Sequence, residues 1–204
     1  RFPSDPALPA LAVAADPKAQ GRGTLVSLND EFHYARNIVK TDTTSVQTFQ
    51  SINRGPAGLV HTGTVEWFAP MDKKVGAQTE FSVDGLDKLP RVDILYAHAN
   101  MSADLIDAAV KNGAKGIVVA GVGDGNMTAP ALDALKKAAA SGVVVVRSTR
   151  LPKGLVLRNN EVNDDEMGFV ASGELNPAKS RVLLQLALTK TSDPQRIQAM
   201  FYEY

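Results

Sequence analysis

The stretch between Pro90 and Arg147 constrains the fold more than any other part of this chain. Three apolar runs, at residues 92–96 (VDILY), 116–120 (GIVVA) and 143–146 (VVVV), alternate with two segments of helical periodicity. Short apolar runs bounded by Gly and Asn read as strands buried on both faces. A strand-helix-strand-helix-strand order calls for a parallel sheet with right-handed crossovers, since a twisted strand feeding a right-handed helix packs back onto its sheet only that way. In the first helix Ser102 is the expected cap, and Leu105, Ile106, Ala109 and Val110 form the apolar stripe. Asn112-Gly113 should end it, because these residues tolerate left-handed backbone. In the second, Thr128 is the cap and Leu132, Leu135 and Ala139 face inward. Lys136 and Lys137 lie toward its C-terminus, where the helix dipole favours cations, and Gly142 closes it.

The flanking parts are less regular. Residues 1–9 hold three prolines, which oppose helix and central strand alike, and residues 10–15 form one short helix before Asp16-Pro17. The chain opens at Arg1 without an initiator Met, which reads as processed, incompletely represented or cut from something longer. Residues 24–28 form a strand ending at Asn29-Asp30, and residues 43–49 a short helix. Residues 58–62 and 64–68 form a β-hairpin joined at Gly63, and residues 71–77 an exposed loop. At the C-terminus, Asn176-Pro177 places a cap and a first-turn proline before VLLQLAL, a run apolar almost all round and expected to be deeply buried. Ser192-Asp193-Pro194 repeats the device, and Tyr202 and Tyr204 are candidate anchors of the end. The expected fold class is α/β, with a parallel-sheet βαβ domain at residues 84–204. Residues 1–83 read as the trailing strand and hairpin of another α/β domain.

Composition excludes several functions. The 22 basic and 22 acidic residues balance, which argues against the cationic footprint of a nucleic-acid binder. There is no cysteine, hence no disulfide, thiolate nucleophile or cysteine metal site. No apolar run approaches the length needed to cross a bilayer, and no secretory signal opens the chain. His33, His61 and His98 have no metal-ligand spacing, so neither metal nor cofactor is expected.

Candidate chemistry centres on residues 121–126 (GVGDGN), between an expected buried strand and a helix start. Three glycines there suit backbone that turns sharply and approaches a ligand closely, or a turn with no ligand at all. The spacing G-x-G-x-G-x is not the dinucleotide fingerprint G-x-G-x-x-G, but ligands in open α/β sheets do bind at the carboxyl ends of strands. His98 follows the 92–96 strand on that same side. His61 alternates with Val60 in the hairpin and reads as a surface or half-buried imidazole. The acidic run at residues 161–166 (EVNDDE) reads by composition as a solvated loop. Lys40, after the short segment 35–39, would serve as a base only if its surroundings lowered a lysine's usual pKa of about 10.4; taken alone it is a surface residue.

Several stretches resemble the C-terminal part of bacterial type II L-asparaginases and glutaminase-asparaginases. They are Leu28-Asn-Asp30 with Ala35-Arg36 and Lys40-Thr41, AGVGDGN at 120–126, VVRSTR at 145–150, and LNPAKSRVLLQLALTKT at 175–191. The ending from Ser192 to Phe201 also fits. The resemblance implies hydrolysis of L-asparagine to L-aspartate and ammonia, with glutaminase activity in some members. It implies that Lys40 polarises or deprotonates the attacking hydroxyl. It implies too that Asn126 and Glu161 hold the substrate's α-amino and α-carboxylate end across a subunit boundary. A homotetramer built as a dimer of dimers, a periplasmic location, a small amino-acid substrate, and no nucleic-acid or membrane partner follow from it.

The departures bear on activity. The family's T-G-G-T-I and H-G-T-D-T motifs are absent, and Thr41-Asp-Thr43 lacks the preceding His-Gly. Residues 1–10 fit the family poorly, Asn37 and Val39 stand where aspartate and threonine are usual, and Asp124 where asparagine often is. These residues alone are therefore expected to lack the threonine nucleophile and to be inactive. Two other readings compete: a noncatalytic α/β module that binds a small amino acid, and an oligomerisation domain built on the apolar helix at Val182.

Overall fold

The computed structural model describes residues 7–68 and 70–204, and the expectation for the first six residues lies outside them. The chain divides into two compact units, residues 1–80 with Tyr204 and residues 81–203.

In the first unit, helix α1 (Ala7–Ala15) starts earlier than the prolines suggest. Pro9 sits in its first turn, where a missing N–H removes no intrahelical bond. Asp16 then ends the segment, accepting from Lys18 N at 2.8 Å and from Trp67 Nε1 at 2.9 Å. Strand β1 (Leu25–Leu28) pairs antiparallel with β2 (Glu31–Tyr34) through a turn in which Asn29 and Asp30 take φ of 52° and 63°. Asn-Asp is thus the two-residue turn of a hairpin rather than a strand terminus, because both positions need the left-handed region that matches strand twist. The helix expected at residues 43–49 is absent. Instead β3 (Val39–Lys40) pairs with β4 (Phe49–Gln50), and Asp42 Oδ1 accepts from the N–H groups of Thr44 and Ser45 at 2.8 Å. Those side-chain bonds offer the backbone a turn in place of helix. The second hairpin stands as expected, with β5 (Gly58–His61) and β6 (Thr64–Trp67) joined by Thr62 and Gly63. The sheet order is β1-β2-β5-β6, and Val13, Phe32, Tyr34, Ala57 and Val60 form the core.

His33 lies on β2 and is buried to 1% exposure. Its Nδ1 is 3.0 Å from Ser51 Oγ and its Nε2 is 3.4 Å from Glu31 Oε2. Burial pushes its pKa below the usual histidine value of 6.5, against the opposing pull of Glu31. The folded state therefore binds this proton less readily than the unfolded chain. Stability is full above about pH 6.5 and falls as pH drops through the unfolded value toward the folded one. Urea midpoints measured from pH 7.5 to 5.5 are expected to decline in the wild type and to flatten in His33→Phe. An equal slope in both proteins would remove His33 as the cause.

In the second unit the parallel sheet has the order β10-β9-β8-β7. Its elements are β7 (Val92–Tyr96), α2 (Asp104–Lys111), β8 (Gly116–Gly121), α3 (Ala129–Ala140), β9 (Val144–Thr149), α4 (Asp164–Met167), β10 (Phe169–Ala171), α5 (Pro177–Ala187) and α6 (Pro194–Glu203). Every residue of β8 and β9 is buried. On one face Ile117, Val119 and Val145 pack with Ile106, Ala109, Ala131 and Leu135 from α2 and α3. Helix α5 lies against the other, where Leu184 meets Gly116 so closely that a Cβ there would stand 2.6 Å from its methyl carbon.

Local details shift from the sequence reading. Leu105 is 60% exposed, so the α2 stripe is narrower than expected. The residue before that helix is Ala103, and Ser102 Oγ only reaches Asp104 N at 3.4 Å. Thr128 precedes α3, but its hydroxyl donates to Met101 O at 2.7 Å instead of accepting from the helix. Asn176 does cap α5, accepting from Lys179 N at 2.9 Å, and Asp193 accepts from Gln195 N at 3.0 Å before α6. Val182 is 52% exposed, so α5 buries one side and not its whole girth.

Candidate functional site

The loop at residues 121–126 leaves the C-terminal end of β8, a central strand of the parallel sheet. It folds back on itself: Val122 and Asn126 exchange both backbone hydrogen bonds at 2.8 Å. A Cβ at Gly121 would stand 2.5 Å from the Gly125 carbonyl carbon, so the loop's own return requires glycine there. Gly125 takes φ of 75° and backs onto Arg147 and Val156. These two glycines are required by the loop's own packing.

Behind the loop stands Arg147, in the middle of β9 and fully buried. Its Nε donates to Asp164 Oδ1 at 2.6 Å and its Nη2 to Asp164 Oδ2 at 2.7 Å, a bidentate pair with both side chains at zero exposure. Nη1 donates to Asp124 O at 2.8 Å, and Nη2 also to Leu157 O at 3.0 Å. Thr149 Oγ1 donates to Gly123 O at 2.6 Å. The acidic run 161–166 is therefore not simply a solvated loop, since Asp164 is a buried partner of an arginine. Asp165 is exposed and takes hydrogen bonds from Asn159 and Arg158, which hold its carboxyl below the usual range. Neither Arg147 nor Asp164 stood out as functional in the sequence. The signal was there, since a charged residue directly follows four valines.

In front of the loop, Asn126 and Glu161 are exposed and face each other, with Asn126 Nδ2 at 3.3 Å from Glu161 Oε2. Asn126 Oδ1 accepts from Met127 N at 2.7 Å, which fixes the amide with its NH₂ outward. Glu161 has no other side-chain partner among the described residues. The pair presents a carboxylate and an amide side by side, a set that can hold an ammonium and a polar head group. Lys40 belongs to the first unit, on β3 opposite Phe49, with its Nζ 5.6 Å from that ring's centre. It is exposed. His98 is exposed just past β7 and its Nδ1 lies 2.7 Å from Ala99 O; His61 is exposed in its hairpin. No three His, Asp or Glu side chains group as metal ligands among the described residues, and no described helix is long and apolar enough to cross a membrane.

A parallel α/β unit with a polar pair on the loop after a central strand has the architecture in which ligands, where bound, sit at strand carboxyl ends. Comparison with known sequences makes the assignment specific. The glutaminase/asparaginase C-terminal domain matches residues 91–201, and the asparaginase N-terminal domain matches residues 6–73. The chain belongs to the glutaminase/asparaginase family. It is 50% identical over 195 residues to a protein of Haemophilus influenzae named probable periplasmic L-asparaginase, covering 96% of this chain and 56% of that one. It is 47% identical to L-asparaginase 2 of Escherichia coli, with 96% and 56% covered. It is 38% identical to a glutaminase-asparaginase of Pseudomonas fluorescens, with 96% and 54% covered. The chain thus spans about half the length of the curated relatives it matches.

Proposed function

We propose that this chain supplies two parts of an amidohydrolase centre that converts L-asparagine to L-aspartate and ammonia, with L-glutamine as a second substrate. Asn126 and Glu161 grip the amino acid's head: the carboxylate takes the α-ammonium and the amide donates to the α-carboxylate. Lys40 handles the proton of the attacking hydroxyl. Fixing the head group aligns the distant amide carbonyl, and such alignment can contribute several kcal/mol to a rate. Residues 1–83 are the trailing part of an N-terminal domain and 84–204 a C-terminal one. Sites are shared between copies in a homotetramer, and the location is periplasmic.

The apposed Asn126–Glu161 pair carries this reading. Calorimetric titration with L-aspartate is its test: the wild type binds, and Glu161→Gln loses roughly tenfold or more in affinity, since one charge-assisted hydrogen bond corresponds to about 1.4 kcal/mol or more. Equal affinity in the two proteins would remove Glu161 from the site. Because the T-G-G-T-I and H-G-T-D-T motifs are absent, the 204 residues alone should release no ammonia from L-asparagine. Ammonia released by the pure chain would refute that.

A further inference from the structure

We propose that Asp124 is a positioning residue of the amino-acid grip, clamping the loop that carries Asn126 to the segment that carries Glu161. The inference rests on the reading of Asn126 and Glu161 as that grip. Asp124 touches neither of them directly. Its Oδ1 accepts from Leu157 N at 2.7 Å and its Oδ2 from Asn160 Nδ2 at 2.6 Å, so one carboxylate ties down the backbone and a side chain just before Glu161. Its carbonyl is held from behind by Arg147 Nη1 at 2.8 Å, and the same guanidinium holds Leu157 O at 3.0 Å. Asp164, the counter-charge of that guanidinium, also accepts from Asn159 N at 2.8 Å. Residues 157, 159 and 160 are thus bound to one anchor, directly or through the arginine. Asn126 is two residues beyond Asp124 on one strand of this clamp, and Glu161 is one residue beyond Asn160 on the other.

The chemistry of the acceptor matters. A carboxylate at 124 accepts twice and donates nothing, so both partners must donate, and Asn160 is fixed with its NH₂ toward the loop. An amide at 124 can keep the bond from Leu157 N with its oxygen. Its NH₂ then requires Asn160 to turn its amide over and accept. That exchange is local, so Asp124→Asn should preserve the clamp while Asp124→Ala removes it.

Titration of this chain with L-aspartate supplies the first readout. Asp124→Ala is expected to weaken binding roughly tenfold, Asn160→Ala to weaken it less, and Asp124→Asn to stay within about threefold of wild type, tenfold being 1.4 kcal/mol. In a Glu161→Gln background the Asp124→Ala effect should shrink, because one of the two groups that the clamp positions has already lost its charge. A general loss of structure would instead persist in both backgrounds. Amide exchange by NMR is the second readout and needs no ligand. In Asp124→Ala the Leu157 amide should exchange about tenfold faster and the Asn126 side-chain resonances should move, while Val118 and Val146 in the sheet stay protected. If the wild type fails to bind L-aspartate, the reading of the grip is wrong, and the exchange measurement still decides the clamp. Unchanged Leu157 exchange and unmoved Asn126 resonances in both alanine variants overturn the proposal, as does an undiminished Asp124→Ala effect in the Glu161→Gln background. Should Asp124→Ala not fold, Asn160→Ala carries both readouts.

Discussion

Asp164→Ala is expected to cost the second unit about 3–5 kcal/mol, the usual penalty for leaving one member of a buried ion pair uncompensated. The partner left behind is Arg147, at zero exposure in the centre of β9. It cannot shed its charge, because a guanidinium stays protonated at any working pH. It would keep two carbonyl partners, Asp124 O and Leu157 O, but no counter-ion. Asn159 N would lose its acceptor as well. Domains of this kind are stable by roughly 5–15 kcal/mol, so the loss is a large share of the total. Chemical denaturation followed by circular dichroism measures it, and a midpoint shift worth under about 1 kcal/mol would show that the pair does not carry this energy. The double variant Arg147→Met with Asp164→Leu separates two meanings of the result. Buried pairs replaced by apolar residues of similar volume are often neutral or better. Recovery of stability in the double variant would therefore mark the pair as an organiser of the loop rather than a net source of stability.

In an enzyme that holds these residues together with a threonine nucleophile, Lys40→Ala should lower kcat by roughly 10²–10⁴ and move KM far less, the range expected for a positioned proton-transfer group. The split matters because the proposed head-group grip belongs to Asn126 and Glu161, which this substitution does not touch. Lys40→Arg refines the test. It keeps the positive charge on a group that does not give up its proton. A kcat close to wild type in Lys40→Arg would assign Lys40 an electrostatic role, whereas a loss like that of alanine supports proton transfer. An unchanged kcat in Lys40→Ala would remove Lys40 from the chemistry. Structurally the position is simple: a two-stranded ribbon places Lys40 opposite Phe49, where residue 39 pairs with residue 50.

Much of the second unit was legible because its signals are short in range. Asn176 before Pro177 and Asp193 before Pro194 are helix starts that depend on backbone groups within three residues, and both caps form. The three strand runs and the helices between them follow from periodicity, and their parallel pairing follows from the strand-helix-strand order. The misread elements lost to competing local bonds or to tertiary exposure. Asp42 bent residues 43–45 into a turn, and Leu105 and Val182 face solvent despite sitting in apolar patterns. The strand at residues 31–34 (EFHY) is too short to stand out by its own pattern, although the Asn-Asp pair before it is a hairpin signal.

Residue order by itself determined the alternation of strands and helices, the helix starts at 177 and 194, and the family to which the chain belongs. Propensity, capping and apolar period act between neighbours, so they survive without knowledge of where the chain goes next. Only the tertiary structure decided that Asp164 is buried on Arg147, 17 residues away, and that Asn126 meets Glu161 across 35 residues. Those meetings depend on how two loops close over the end of one sheet. That closure is made by a bidentate ion pair and by hydrogen bonds from side chains to backbone and to other side chains, which leave no periodic trace in the order of the residues.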